Sequence, residues 1–124
     1  MERVTYRLEV VTEVREWLHQ LRRTDRASAI LVGQAITALL EEGPSLGRPL
    51  VDRIKGSDLH NLKELRPGSA GTTEIRILFI FDPARNAVLL VAGDKAGQWT
   101  AWYRESIPLA EARYVTYLKE KEES

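Results

Sequence analysis

Two runs of residues decide what this chain folds into. Glu74-Ile75-Arg76-Ile77-Leu78-Phe79-Ile80-Phe81 and Ala87-Val88-Leu89-Leu90-Val91-Ala92 are rich in β-branched and aromatic side chains. The five residues between them, Asp82-Pro83-Ala84-Arg85-Asn86, have the composition of a hairpin loop. Both runs are apolar at most positions instead of alternating with polar residues. Neither face suits water, so the pair belongs at the centre of a sheet.

The flanking segments supply the other elements. Val4, Tyr6, Leu8 and Val10 alternate with Arg3, Thr5, Arg7 and Glu9, the period of two of a half-buried strand. The period then changes: Val14, Trp17, Leu18 and Leu21 recur at helical spacing. Thr24-Asp25 caps a second helix carrying Ile30, Leu31, Ile36, Leu39 and Leu40, which Gly43-Pro44 ends. Two helices so closely linked form an antiparallel hairpin. Residues 44–61 read as an ordered, positively charged loop, and Asn61 to Arg66 as a short strand. After Gly93 the chain reads as irregular through Trp99, Trp102 and Tyr103, aromatic side chains of a kind that can stack on bases, although for the two tryptophans filling a core edge is the stronger expectation. A last helix opens at Ser106-Ile107-Pro108 and carries Ala110, Tyr114, Tyr117 and Leu118, and Lys119 to Glu123 fray. The predicted order is β-α-α-β-β-β-α in one α+β domain over residues 1–124, a sheet layered on the helical hairpin.

Composition narrows the function. The chain has 124 residues, 44% of them hydrophobic, enough for one core. It has no cysteine, which removes disulfides, thiolate metal sites and thiol nucleophiles together. No apolar run approaches the roughly 18 residues of a membrane span, and the first residues lack a secretory h-region, so a cytoplasmic protein with no membrane partner is expected. Net charge is zero, which argues against binding nucleic acid by bulk attraction. The excess of cations is local: residues 46–104 carry nine Lys/Arg against six Asp/Glu.

The two histidines, His19 and His60, lie far apart without a metal-binding context, so no metal or other cofactor is expected. Phosphate-cradling loops and nucleophile elbows are also missing. What remains is a set of cations at strand ends. Arg66 ends one strand, Arg76 begins the next and Lys95 follows the third, so a meander with strands about 4.8 Å apart brings all three to one place. Singly, a strand-end arginine is most often a solvated surface group. Arg76 is the exception, since its strand is otherwise apolar and its charge needs water or a partner such as Glu64 or Glu74. Arg53, Lys55, His60, Lys63, Glu64, Tyr103 and Arg104 flank the three and extend the set.

Four segments, Leu62-Lys63-Glu64-Leu65-Arg66, Ile75-Arg76-Ile77-Leu78-Phe79, Leu89-Leu90-Val91-Ala92-Gly93-Asp94-Lys95 and Ile107-Pro108-Leu109-Ala110-Glu111-Ala112-Arg113-Tyr114, follow one another behind the helical hairpin. This order resembles the RelE/HigB superfamily of toxins from type II toxin–antitoxin pairs, in its phage-related HigB-like branch. The resemblance implies a RelE-like fold, a small, mainly antiparallel twisted sheet packed on the N-terminal hairpin with a C-terminal helix. It implies metal-independent endoribonuclease action on mRNA at the ribosome, and a cognate antitoxin, of helix-turn-helix type, that neutralises the toxin in a hetero-oligomer. Arg66, Arg76 and Lys95 match family positions at the scissile phosphate, and Tyr103 falls near a terminal tyrosine that some members use. Ile75 stands where many members have tyrosine, and Asp94 where many have a basic residue.

Cleavage without metal has the 2′-hydroxyl attack the adjacent phosphorus. Arginine forks at Arg66 and Arg76 suit the added charge. Lys95 suits the leaving oxygen, and Glu64, His60 or Tyr103 serves as base. Lys63, His60, Arg53, Lys55 and Arg104 are expected to bind RNA. Removing the Arg76 side chain is expected to abolish activity with little effect on stability. Two other readings share the fold: a ParE-like toxin that binds gyrase, and a non-catalytic module that binds a helix-turn-helix partner.

Overall fold

The computed structural model describes residues 5–123. Residues 1–4, where the expected first strand begins with Arg3 and Val4, lie outside the described residues. The elements are β1 (Leu8–Val10), α1 (Thr12–Thr24), α2 (Arg26–Glu42), a 3₁₀ turn (Gly43–Ser45), β2 (Val51–Arg53), β3 (Lys63–Leu65), β4 (Ile75–Phe81), β5 (Ala87–Asp94) and α3 (Trp99–Glu123). The sheet runs β1-β5-β4-β3-β2, with β1 parallel to β5 and the other three pairings antiparallel. The β4–β5 hairpin therefore sits at the centre, as its two-sided apolar character requires.

Each face of that hairpin has its own cover. Ile75, Ile77 and Phe79 of β4 pack with Val14 of α1 and with Val32, Ala35 and Leu39 of α2. Leu78 and Ile80 point the other way, into a second core with Trp102, Ala110, Tyr114 and Tyr117 of α3. The helical hairpin turns on a single residue: Asp25 closes α1 and caps α2, accepting from the Ser28 N–H at 3.1 Å and its hydroxyl at 2.6 Å.

Three features differ from the sequence reading. The segment read as one long loop contains β2, three residues that pair with β3 and bury Val51, too short to show a period. Helix α3 begins at Trp99, well before Ser106, and Pro108 lies inside it. Pro108 is on the exposed side, so the Arg104 carbonyl that loses its helical donor is within reach of water. Lys119 to Glu123 do not fray; the helix continues through Glu123, and the Lys121 ammonium meets the Glu9 carboxylate at 2.8 Å.

A β-bulge sets which way the end of β5 faces. Leu78 pairs with Val91 and Phe79 with Leu89, leaving Leu90 as the extra residue. Before the bulge Val88 faces α3; after it Val91 and then Gly93 do. Gly93 thus sits opposite Arg76, and the Trp102 indole lies directly on it. A β-carbon at Gly93 would collide with Trp102 Nε1, so only glycine lets α3 approach here. Among the described residues no helix is long and apolar enough to cross a membrane.

Candidate functional site

Alternation along β4 places Arg76, Leu78, Ile80 and then Asp82 on the α3 face. Apolar residues occupy the middle and polar residues the two ends. The Arg76 end collects the charges that the sequence scattered. Glu64 of β3, next to Leu78 in the register, shares this face, as does Arg66 two residues on. Lys95 follows the last residue of β5, and Tyr103 comes from the first turns of α3.

The five form one continuous network. The Tyr103 hydroxyl donates to Glu64 Oε2 at 2.6 Å and accepts from Lys95 Nζ at 3.1 Å. The other carboxylate oxygen, Glu64 Oε1, faces two guanidiniums, with Arg66 Nε at 3.8 Å and Arg76 Nε at 3.9 Å. Both are ion pairs too long for hydrogen bonds. Arg66 is also 3.8 Å from Asp52 Oδ2, whose firmer partner is Arg48 at 2.9 Å. Arg66, Arg76 and, through Tyr103, Lys95 thus gather around one carboxylate, Glu64, while Asp52 is held closer by Arg48.

Burial makes the arrangement unusual. Glu64, Arg76 and Lys95 are 7%, 8% and 4% exposed, whereas such groups are rarely buried unless firmly paired. The Arg76 terminal nitrogen Nη1 donates to the Ile75 carbonyl at 2.8 Å, but its buried Nε has no hydrogen-bond partner among the described residues. Burial, and after it the neighbouring Arg76 charge, hold the Lys95 ammonium below its ordinary value. Burial and the hydrogen bond to Glu64 push the Tyr103 phenol well above its own, so it stays protonated.

The loop after β5 holds Lys95 in place. Asp94 Oδ1 accepts from the Glu74 N–H at 2.9 Å and the Ala96 N–H at 3.0 Å, and the Lys95 N–H donates to the Glu74 carbonyl. Asp94 is therefore a brace for the lysine, a role sequence reasoning missed, although an Asp just before a turn is a usual signal for it. The two tryptophans separate. Trp102 fills a core edge as expected, at 8% exposure. Trp99 does not: it is 56% exposed, and Lys95 Nζ lies 3.8 Å from its ring centroid.

The flanking basic residues divide. Lys55 and Arg104 line a groove of about 360 Å³ between the β2–β3 connection and α3, with Tyr103 in its wall, so they adjoin the network. Lys63 does not. It precedes Glu64 on a strand and so points to the opposite face, where its ammonium donates to the Pro44 carbonyl at 3.1 Å. Arg53 pairs with Lys63 in the register and shares that opposite face. His60 is exposed in the turn before β3, with no hydrogen bond or ion pair to the network among the described residues.

Known proteins are similar to most of the chain. Residues 16–115 match the family described as phage derived protein Gp49-like. Two proteins of Mycobacterium tuberculosis (strain ATCC 25618 / H37Rv) are each 51% identical to the chain. The one named "Putative toxin HigB2" aligns over 114 residues, 92% of this chain and 55% of that protein. The one named "Putative toxin HigB3" aligns over 109 residues, 88% of this chain and 90% of that protein. The chain thus spans about half the length of the HigB2 relative and nearly all of the HigB3 relative. No solved structure matches it.

Proposed function

The chain belongs to the Gp49-like family of phage-derived proteins, and on that premise we propose that it is a HigB-like toxin of a toxin–antitoxin pair that cuts messenger RNA without a metal ion. The observation that carries this reading is Arg76. A buried guanidinium whose Nε lacks an acceptor, beside two further cations, is a site short of one anion. A phosphodiester supplies that anion.

The roles follow from geometry. Arg76 and Arg66 take the phosphate oxygens and stabilise the charge that grows as phosphorus becomes five-coordinate. Drawing both guanidiniums toward the phosphate leaves Glu64 Oε1 open to the 2′-hydroxyl. Glu64 then removes the 2′-hydroxyl proton as the 2′-oxygen bonds to phosphorus. The bond from phosphorus to the 5′-oxygen breaks, and the Lys95 ammonium, already below its ordinary proton affinity, protonates that oxygen. The products are a 2′,3′-cyclic phosphate and a 5′-hydroxyl. Tyr103 bridges Glu64 and Lys95, so the proton taken by Glu64 returns to the lysine through the phenol and resets the site. Glu64 is the base in this scheme because Tyr103 stays protonated and His60 stands away from the network. Proximity supplied by the ribosome offsets the weakness of a carboxylate base. The partners are a cognate helix-turn-helix antitoxin, the ribosome and mRNA, and the setting is the cytoplasm.

The test is induced expression without an antitoxin, followed by primer extension on several transcripts. Growth arrest with cuts confined to translated transcripts, bearing 2′,3′-cyclic ends, is expected. Arrest with intact mRNA and gyrase-dependent DNA breaks would replace the nuclease reading with gyrase binding. Normal growth and intact mRNA would leave a non-catalytic module.

A further inference from the structure

Trp99 is an exposed aromatic side chain beside the site that takes no part in the cleavage steps. It is 56% exposed, whereas Trp102, three residues along the same helix, is buried against Gly93. The backbone holds it in place. The Gln98 N–H donates to the Lys95 carbonyl at 3.0 Å, and Gly97, at φ +78°, supplies the left-handed residue of that turn. The chain doubles back, and the indole comes to rest on the ammonium of Lys95 at 3.8 Å from the ring centroid. The Tyr103 ring flanks the same ammonium at 5.0 Å. One face of the indole is thus fixed by a cation, while over half of the side chain's surface remains in water.

We propose that Trp99 is a substrate-stacking residue, the platform for the base next to the phosphate held by Lys95, Arg76 and Arg66. This deepens the nuclease reading and rests on it. The substrate class it selects is single-stranded RNA with a purine beside the cut, because a base must be unpaired to reach an aromatic face and a purine offers the larger surface. The ammonium under the ring adds to the case. A nucleotide whose phosphate lies against Lys95 carries its base within one residue's reach of the indole directly above. A protein partner would need a broader apolar surround, but the exposed residues on either side of Trp99, Gln98 and Thr100, are polar.

The experiment separates this proposal from the cleavage reading by measuring binding with an RNA that cannot be cut. A 2′-O-methyl adenylate hexamer lacks the attacking hydroxyl and is titrated against wild type, Trp99→Phe and Trp99→Leu while tryptophan emission and anisotropy are followed. In wild type, emission is quenched on binding. Trp99→Phe keeps the affinity within about threefold and loses the quench. Trp99→Leu, apolar but without a ring, binds about 10- to 100-fold more weakly. A uridylate hexamer binds wild type more weakly than adenylate, and Trp99→Leu levels the two. Wild-type affinity in Trp99→Leu, no quench at saturation, or no binding of either hexamer overturns the proposal. So does a Trp99→Leu protein that loses antitoxin while keeping RNA, which would make the indole a protein contact. Quenching in a protein that cuts no RNA leaves the stacking standing and removes the cleavage reading. Unchanged cutting at unchanged sites by Trp99→Leu does the reverse.

Discussion

Helix α3 makes two tyrosine-to-carboxylate hydrogen bonds of equal length at opposite ends of β4. Tyr103 meets Glu64 at 2.6 Å beside the Arg76 end, and Tyr117 meets Asp82 at 2.6 Å at the other. Their surroundings differ. Asp82 is saturated by neutral donors, with Oδ1 accepting from the Asn86 N–H at 2.8 Å and Oδ2 from the Asn86 side chain at 3.1 Å. Glu64 has only distant guanidiniums besides its tyrosine. A carboxylate whose acceptors are all used staples a helix to a hairpin; one whose partners are long-range cations leaves those cations available to a ligand.

The largest effect expected from this contrast is on activity at one end alone. Arg76→Ala should lower RNA cleavage about 100- to 1000-fold, and Asp82→Asn should leave it within a few-fold. Stability is where the structure revises the sequence reading: a guanidinium 8% exposed does not leave without consequence, and about 1–3 kcal/mol of change in urea unfolding is expected. Arg76→Gln, which keeps most of the volume, separates lost chemistry from lost packing. If Asp82→Asn silenced the toxin with its fold intact, the two ends would not differ as described.

Next in size is Gly93→Ala. The added methyl meets the Trp102 indole, and the residue opposite is Arg76, so α3 must lift where the site forms. About 1–3 kcal/mol of lost stability is expected, of the overpacking kind, together with reduced cleavage. Ser106→Ala, buried on the same helix one turn beyond Trp102 and adding no atom, should cost less and spare activity. A Gly93→Ala protein as stable as wild type would show that the close approach is not needed.

Much of this was legible in the residues, and what was not has identifiable causes. The central hairpin announced itself because two-sided apolar strands have one place to go. The convergence of Arg66, Arg76 and Lys95 follows from a meander, whose strand ends meet whatever the sequence distance. Lys63 and Arg53 were misplaced by counting charges near Glu64 without alternating them, although adjacent strand residues point apart. The start of α3 was hidden by Pro108, which resembles a first-turn proline until its exposed side is known. Nothing local marks the bulge at Leu90, which aims Gly93 at Trp102. The Asp82–Tyr117 staple needs the strand and helix laid side by side, a tertiary fact, and each residue alone has an ordinary reading as turn or core.

A smaller effect sharpens the contrast from the tyrosine side. Tyr117→Phe leaves Asp82 buried with one donor fewer, so about 1–2 kcal/mol of stability should be lost with cleavage unchanged. Tyr103→Phe should do the opposite. Glu64 keeps its guanidiniums and stability moves less, while cleavage falls because the path from Glu64 to Lys95 is cut. Paired urea curves and cleavage rates decide it. Equal stability losses in both variants would mean that the site tyrosine is a second staple.

The smallest effect is in how stability depends on pH, where Lys95 differs in sign from the raised phenols of Tyr103 and Tyr117. Burial pushes the Asp82 carboxyl up, but hydrogen bonds from Tyr117 and Asn86 outweigh it and hold the group below the usual carboxylate range. A folded-state value below the unfolded one gives stability that is present above about pH 4 and is lost as pH falls through the folded value. Burial and the bond to Asp82 raise the Tyr117 phenol, so its contribution is present below about pH 10 and lost above it. Lys95 works the other way. Its folded-state value is lowered, so the unfolded chain binds the proton more readily, and the lysine's contribution improves as pH climbs toward 10. Tyr117→Phe should therefore flatten the alkaline loss of stability and Lys95→Met should steepen it, while Asp82→Asn flattens only the acid side. Urea midpoints measured across pH 3 to 11 test all three, and an alkaline slope unchanged by Lys95→Met would mean that its ammonium is no less at ease folded than in water.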